Sequence, residues 1–262
     1  MDIVRVLAPN PGPYTGPGTN SYLVYDQSEA FVIDPGPIID SHAEAIVASL
    51  GDLTPAGVIV THNHPDHAPL ANPLAESLGV ASFGFAAGPE FTPDVLIGDG
   101  DEMPFGDSRL VAVHTPGHTA DHICLLAGSV LFTGDHIMGG STVIIQDATA
   151  YFESLYKVEA LGVEIIQPGH GDVIEDAAAA VTMYIEHRKA RELQVIDAVR
   201  NGAHTVREIT EAVYGDVDPQ LILAASAQVE VQLQKLTSEN RLSLGPTDTS
   251  EIRVVMPGGG FD

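Results

Sequence analysis

Thr61 to His67 reads THNHPDH, and the six residues from His62 to His67 hold three histidines and an aspartate. Imidazole nitrogens and carboxylate oxygens are the donors that zinc and similar divalent ions take. The preceding Gly57-Val58-Ile59-Val60 is apolar and β-branched and reads as a buried strand. His62 and His64 are two apart, so an extended segment points them the same way. Pro65 breaks the strand direction, and Asp66 and His67 can then turn toward a second point. One short stretch could therefore supply ligands to two adjacent metal ions.

Matching donors follow downstream. His118 lies in His114-Thr115-Pro116-Gly117-His118, after the apolar Leu110 to Val113. Asp135 closes Phe132-Thr133-Gly134-Asp135, and His170 lies in Gln167-Pro168-Gly169-His170-Gly171 after Val163 to Ile166. Each is one candidate ligand on a turn after one short strand, with glycine or proline beside it to let the backbone bend. The pattern predicts a set of strands that end at one sheet edge and deliver donors to a common place.

HxHxDH, TPGHT, TGD and PGHG in this order resemble the metallo-β-lactamase superfamily. The resemblance implies an α/β fold, the four-layer αββα sandwich, with metals at one edge between the two sheets. It implies that His62, His64 and His118 hold one metal, that Asp66, His67 and His170 hold the second, and that Asp135 bridges them. Two zinc ions are the expected cofactors, although His/Asp sites also accept Fe or Mn. The implied chemistry is hydrolysis by a metal-bridging hydroxide, with Asp66 orienting it or carrying a proton. His122 matches a second histidine that follows TPGHT in the family and joins Asp66 as a catalytic candidate. The aspartate of such an IDPG segment lies behind the ligands, which makes Asp34 either an orienting residue or a turn-forming aspartate. Asn63 stands where an aromatic residue is common and is a candidate substrate contact.

The rest of the chain narrows the class. Its 262 residues fit one large domain or one and a half, and 44% hydrophobic residues suffice for a substantial core. Cys124 is the only cysteine, so no internal disulfide can form; within Ile123-Cys124-Leu125-Leu126 it reads as a small core residue. No signal-peptide pattern and no apolar run long enough to span a membrane is apparent, so a cytoplasmic protein with no membrane partner is expected. The formal net charge of −25 repels polyanions at long range and disfavours RNA, which stays open as a partner; it also fits a salt-adapted host.

Along the chain, Ile3 to Leu7 reads as an edge strand, and residues 9–20 as a proline- and glycine-rich loop. Ser21 to Tyr25 and Ala30 to Ile33 read as a strand pair. Ser41 to Leu50 reads as an amphipathic helix with His42 on the surface, and a second helix is expected from about Ala68 to Leu78. Val80 to Phe85 and residues 123–126 read as strands, 141–152 as a connection and 153–161 as a helix.

Residues 1–200 are assigned to the lactamase-like domain and 201–262 to a small winged-helix-like unit. Residues 177–200 read as a helix carrying His187-Arg188-Lys189-Ala190-Arg191; Arg188 and Arg191 share a face. That face is either solvated or an anion clamp at the rim of a substrate pocket. Thr205-Val206-Arg207-Glu208 is a capping box opening a helix to about Val213. Asp218-Pro219 is expected to start another helix to about Glu239, followed by a Gly-Pro turn and two strands, Arg241 to Leu244 and Glu251 to Met256. The second helix offers only Lys235, with Arg241 at its end, so DNA binding is disfavoured. A structural or oligomerising appendage is favoured, with a homodimer left open.

A lactamase-type domain, the helix with His187, Arg188, Arg191 and Glu192, and the winged-helix segment together resemble the β-lactamase-like protein 2 branch. The segments Gly18 to Val24 and Thr115 to His122 fit it as well. That branch lies close to glyoxalase II-type thioesterases, and some of its members are single-strand-specific endoribonucleases. The resemblance thus implies a hydrolase of small thioesters, esters or lactones, with a metal-dependent endoribonuclease as the alternative and weak β-lactamase side activity. No GxSxG nucleophile elbow is present, which fits direct attack by water.

Overall fold

The computed structural model of the chain describes residues 1–140, 142–218, 221–245 and 253–257. One sheet holds, in spatial order, β1 (Asp2–Leu7), β2 (Asn20–Asp26), β3 (Glu29–Ile33), β4 (Thr54–Ile59), β5 (Ser82–Gly84) and β6 (Val95–Leu96). The other holds β7 (Glu102–Phe105), β8 (Ser108–His114), β9 (Ile123–Ala127), β10 (Val130–Gly134) and β11 (Ile165–Pro168), in the order β11-β10-β9-β8-β7. Apolar residues alternate along the strands and fill the space between the sheets, Tyr22, Phe31 and Ile59 facing Phe105, Leu125 and Phe132. α1 (Asp40–Leu50) and α2 (Ala71–Leu78) cover the outer face of the first sheet. α3 (Ala148–Leu161) and α4 (Ala177–Arg200) cover the outer face of the second. The result is the αββα sandwich with helices outside and sheets inside.

The donors are gathered by strand direction. β3 and β4 run parallel, as do β10 and β11, so the chain leaves each strand at the same edge. Asp34 follows β3, His62 follows β4, Asp135 follows β10 and His170 follows β11. Gly117 lets His118 join them: its φ is +132°, and an added Cβ would lie 2.5 Å from the Tyr151 backbone.

Two helices start elsewhere than the sequence suggests. α2 begins at Ala71 because Pro69 disfavours helical geometry at Ala68; residues 64–70 form hydrogen-bonded turns instead. α3 begins at Ala148, well before 153, because the Asp147 carboxylate accepts from the Ala150 N–H and caps it. Residue 141 of the expected connection lies outside the described residues.

The C-terminal unit comprises α5 (Val206–Tyr214), α6 (Ile222–Ser238), β12 (Ser243–Gly245) and β13 (Arg253–Val255), the two strands pairing antiparallel. The Thr205/Glu208 capping box is present in both directions. Pro219, the Pro246 turn and the start of the Glu251 strand lie outside the described residues. The last turns of α4 already belong to this unit's core: Val195, Ile196 and Val199 pack with Ile209, Val229 and Leu236. The earlier turns, with Val181, Tyr184 and Ile185, pack on the sandwich. A single helix therefore belongs to both cores: the division expected after residue 200 coincides with its C-terminal end, while the packing passes from one core to the other within it, between Ile185 and Val195.

Lys235 on α6 bonds Glu192 at 2.7 Å and Glu239 at 2.7 Å, while Arg241 bonds Glu192 at 2.6 Å. These cations are consumed inside the unit and are not presented to a phosphate backbone. No helix among the described residues is long and apolar enough to cross a membrane.

Candidate metal centre and its cavity

His62 Nε2 and His118 Nε2 each lie 3.0 Å from His64 Nδ1, and His118 Nε2 lies 3.6 Å from Asp135 Oδ2. Beside this group, His67 Nε2 lies 3.2 Å from His170 Nε2, and Asp66 Oδ2 lies 3.1 Å from His170 Nε2. The other carboxylate oxygen of Asp135, Oδ1, is 3.3 Å from both His67 Nε2 and His170 Nε2. All seven predicted donors are therefore brought together in two neighbouring groups, with one oxygen of Asp135 turned to each.

The donor set fits divalent ions. Four donors at 2.0–2.1 Å in a tetrahedron stand roughly 3.3 Å apart, which is the spacing seen. The tautomers fit as well. His67 Nδ1 bonds Asp34 Oδ2 at 2.9 Å, His118 Nδ1 bonds the Ile144 carbonyl at 2.6 Å and His170 Nδ1 bonds the Gly18 carbonyl at 3.1 Å. Thr61 Oγ1 gives its proton to Asp34 Oδ2 and so accepts from His62 Nδ1. These bonds leave the Nε2 lone pairs converging on two points, an arrangement that only a cation makes favourable. Asp135 Oδ1, buried and without a directed hydrogen bond, faces the second point.

Electrostatics divide the groups. Burial, reinforced by His67 and His118, holds His62 well below its ordinary range, and burial with His118 lowers His64. Burial also pulls on His67, but the carboxylates of Asp135 and Asp34 outweigh it and hold its imidazole well above the usual value. His170 likewise rises, against its burial, to about 9 through Asp135 and Asp66. Asp135 stays well below the carboxylate range because His67 and His170 outweigh its burial.

The shell behind the donors is built by motifs that the donors do not explain. Asp34 takes φ +47°, and its Oδ1 accepts from the Thr61 N–H at 2.7 Å while Oδ2 serves Thr61 and His67. It orients ligands from behind. Ser21 Oγ donates to the Asp34 carbonyl at 2.6 Å and in turn accepts from His42 Nε2 at 2.8 Å. His42, expected on the surface, is thus buried; its spacing with the equally buried Ile46 and Leu50 on α1 is the helical signal that placed it inward. Asn20 donates to the carbonyls of Pro168 and Gly171, both at 2.9 Å, and Tyr22 donates to Pro168 at 2.7 Å. The Gly18 to Val24 segment therefore anchors the turn that carries His170.

Two sequence-predicted contacts are placed away from the cavity. Asn63 points to the opposite side from His62 and His64, as alternation along an extended segment demands. Its Nδ2 donates to Phe91 and its Oδ1 accepts from the Glu90 N–H, so it clasps a loop and does not meet substrate. His122 is fully buried: Nε2 accepts from the Asp135 N–H at 3.2 Å, and Nδ1 donates to Thr115 Oγ1 at 3.0 Å. Its position is behind Asp135, where it holds that backbone. Cys124 packs beside Thr115, and burial pushes its thiol up to about 12.

A cavity of about 630 Å³ opens onto both donor groups at His64, Asp66, His118 and Asp135. Pro13 and Tyr14 of the 9–20 loop form one wall, and Thr142, Val143, Ile144 and Gln146 form another. The remaining wall comes from the C-terminal helices: His187, Arg188, Arg191, Tyr214, Leu221 and Gln228. Arg188 and Arg191 thus both reach the cavity. The appendage reading of the C-terminal unit is incomplete, since α5 and α6 help enclose the site. Gln228 and Tyr214 carry no local sequence signal of that role.

Comparison with known proteins agrees with this geometry. Residues 14–170 match the family model of the metallo-beta-lactamase superfamily, and residues 205–243 match that of the beta-lactamase associated winged helix domain. A beta-lactamase-like protein 2 homolog of Drosophila melanogaster is 31% identical, over 97% of this chain and 94% of its own. An atrochrysone carboxyl ACP thioesterase of Aspergillus chevalieri is 34% identical, over 82% of this chain and 74% of its own. The crystal structure of a metallo-beta-lactamase family protein from Thermus thermophilus has the same fold, with a TM-score of 0.80 at 20% identity, over 97% of this chain and 98% of that one.

Proposed function

Since the chain belongs to the metallo-beta-lactamase superfamily, we propose that it is a hydrolase with two zinc ions that cleaves a small acyl thioester, ester or lactone. The observation that carries this reading is the half-open, largely apolar cavity that ends on both donor groups. Its Met138, Val143, Ile144, Leu221 and Ala224 suit an acyl chain rather than a polynucleotide. The thioesterase name of one relative supports the thioester among the three.

When bound, zinc lowers the pKa of water toward ~7 and polarises the carbonyl under attack. His62, His64 and His118 would hold one ion; Asp66, His67 and His170 would hold the other, with Asp135 between them. Asp66 is the most exposed carboxylate of the set and lines the cavity, so it can take the proton of the attacking water. The same carboxyl group can return that proton to the leaving sulfur or oxygen. Asp34 and the Ile144 carbonyl keep His67 and His118 in the tautomer that offers Nε2. A −25 chain whose two cavity arginines lie inside the pocket gives single-stranded RNA no cationic track.

The test is turnover by the zinc-loaded protein across N-acetylcysteamine thioesters, aryl esters and lactones, with single-stranded RNA at low salt alongside. Turnover of an acyl substrate that disappears in His118→Ala supports the reading. Cleavage of RNA with none of the acyl compounds would overturn it.

A further inference from the structure

Arg188 and Arg191 stand apart from the other cations of this chain. Acidic side chains outnumber basic ones 36 to 11. Every other lysine and arginine except Arg253 lies against a carboxylate. Arg188 and Arg191 have no carboxylate partner among the described residues, although both line the cavity. In so acidic a chain a counter-ion is the easiest neighbour to find, and a guanidinium taken out of water without one is costly.

Their surroundings substitute only partly for an anion. The Arg188 guanidinium lies 4.9 Å over the Tyr151 ring and donates from one terminal nitrogen to the Val143 carbonyl. Its Nε is buried and has no hydrogen-bond partner, and the residue is only 6% exposed. The Arg191 guanidinium lies 4.7 Å over Tyr214 and bonds the neutral Gln194 side chain at 2.9 Å. Aromatic faces stabilise a cation while leaving its in-plane N–H groups free to meet a planar oxyanion. His187, also in the cavity wall, adds a further donor. Apart from the metal-donor carboxylates of Asp66 and Asp135, no acidic side chain among the described residues lines this cavity.

We propose that this wall is a subsite for an oxyanion, a carboxylate or a phosphate, carried by the substrate away from the bond that is cut. Arg191 is its principal contact, with the Arg188 guanidinium beside it in the same wall. The substrate class is then an acyl compound with one remote negative group, its chain lying along the apolar walls. This assignment rests on the hydrolase reading above.

Two matched pairs of thioesters test it and separate the two sources of the anion. Glutaryl and pentanoyl N-acetylcysteamine differ by a carboxylate on the acyl side. Butyryl phosphopantetheine and butyryl pantetheine differ by a phosphate on the thiol side. In one pair the zinc-loaded protein should favour the charged member in kcat/KM by roughly 10–100-fold, the range for charge-assisted hydrogen bonds in a desolvated pocket. Arg191→Gln should collapse that ratio toward one, and Arg191→Lys should restore part of it. Turnover of both pairs without preference for either charged member would overturn the subsite and leave the hydrolase standing. If no thioester is turned over, binding of glutarate and of inorganic phosphate is compared by calorimetry in wild type and Arg191→Gln. Binding weakened by the substitution supports the subsite independently of the reaction; equal binding, or none, overturns it.

Discussion

Gln228 on α6 is bonded twice to the backbone of Ile145: its Oε1 accepts from the Ile145 N–H at 3.2 Å, and its Nε2 donates to the Ile145 carbonyl at 2.9 Å. One residue earlier, the Ile144 carbonyl accepts from Nδ1 of the metal donor His118. One residue before that, the Val143 carbonyl accepts from Arg188 on α4. Three consecutive residues of one extended strap are thus gripped by a helix of the sandwich, by a metal donor and by a helix of the C-terminal unit. Gln228 and Ile145 are 83 positions apart, yet this contact sets where His118 is held.

Gln228→Ala should therefore weaken metal retention at the group containing His118 by about 10-fold, the low end for partners that orient a ligand. The fold should persist, since the side chain lies at the cavity wall and not in the centre of a core. Metal content after dialysis against a graded chelator, beside the circular dichroism spectrum, checks this. Wild-type retention in the variant would mean that the strap holds its place without Gln228.

Asp34→Asn removes the charge that His67 Nδ1 faces while keeping the side chain's shape. The affinity of the group with Asp66, His67 and His170 should fall by roughly 10–100-fold. The group with His62, His64 and His118 should change little, because Asp34 reaches it only through Thr61. Stepwise titration with zinc separates the two: one strong equivalent retained, the other weakened. Equal loss of both equivalents would contradict this division.

The donors were legible because each is announced locally, by a short apolar strand, then glycine or proline, then the ligand. The Thr205/Glu208 capping box is local too, and it is present as read. Asn63 shows local evidence left unused: alternation from His62 already turns it away from the donors. His42 shows another, since its spacing with Ile46 and Leu50 marks an inward face. Gln228, Tyr214 and Ser21 lay beyond reach for a different reason. Their roles depend on partners brought close only by the packing of layers, and no spacing within the chain encodes such a meeting. Nor does periodicity reveal that α4 serves two cores.

Metal binding to the second group should release protons at neutral pH. In the metal-free protein His170 is raised to about 9, so at pH 7 it carries a proton where the ion would sit. Binding needs neutral rings at His170 and at His67, which is also raised, so affinity should climb with pH from neutrality through 9, by at least about tenfold per unit where His170 is protonated. The metal-free fold behaves oppositely: a histidine whose folded pKa exceeds its unfolded value near 6.5 contributes stability below 6.5 that is lost as pH rises through 9. Calorimetry of zinc binding in two buffers of different ionisation enthalpy counts the protons. No proton release accompanying the second equivalent at pH 7 would refute the assignment.

Glu192 is the buried anion on which the C-terminal unit depends. Its side chain is 6% exposed and meets Lys235 at 2.7 Å and Arg241 at 2.6 Å. Lys235 is itself 10% exposed and also lies 4.7 Å over the Phe152 ring of α3, so the network ties the unit to the sandwich. Removing one partner of a buried pair leaves the other charge uncompensated, at a typical cost of about 3–5 kcal/mol. Glu239 still neutralises Lys235 in part, which argues for about 3 kcal/mol in Glu192→Ala. Because α6 also carries Gln228, loosening it should open the cavity wall before the sandwich unfolds. Denaturant unfolding followed by limited proteolysis would show early cleavage between α5 and α6 in the variant. A single unfolding transition at the wild-type midpoint would mean that the ion pairs contribute nothing to holding this wall.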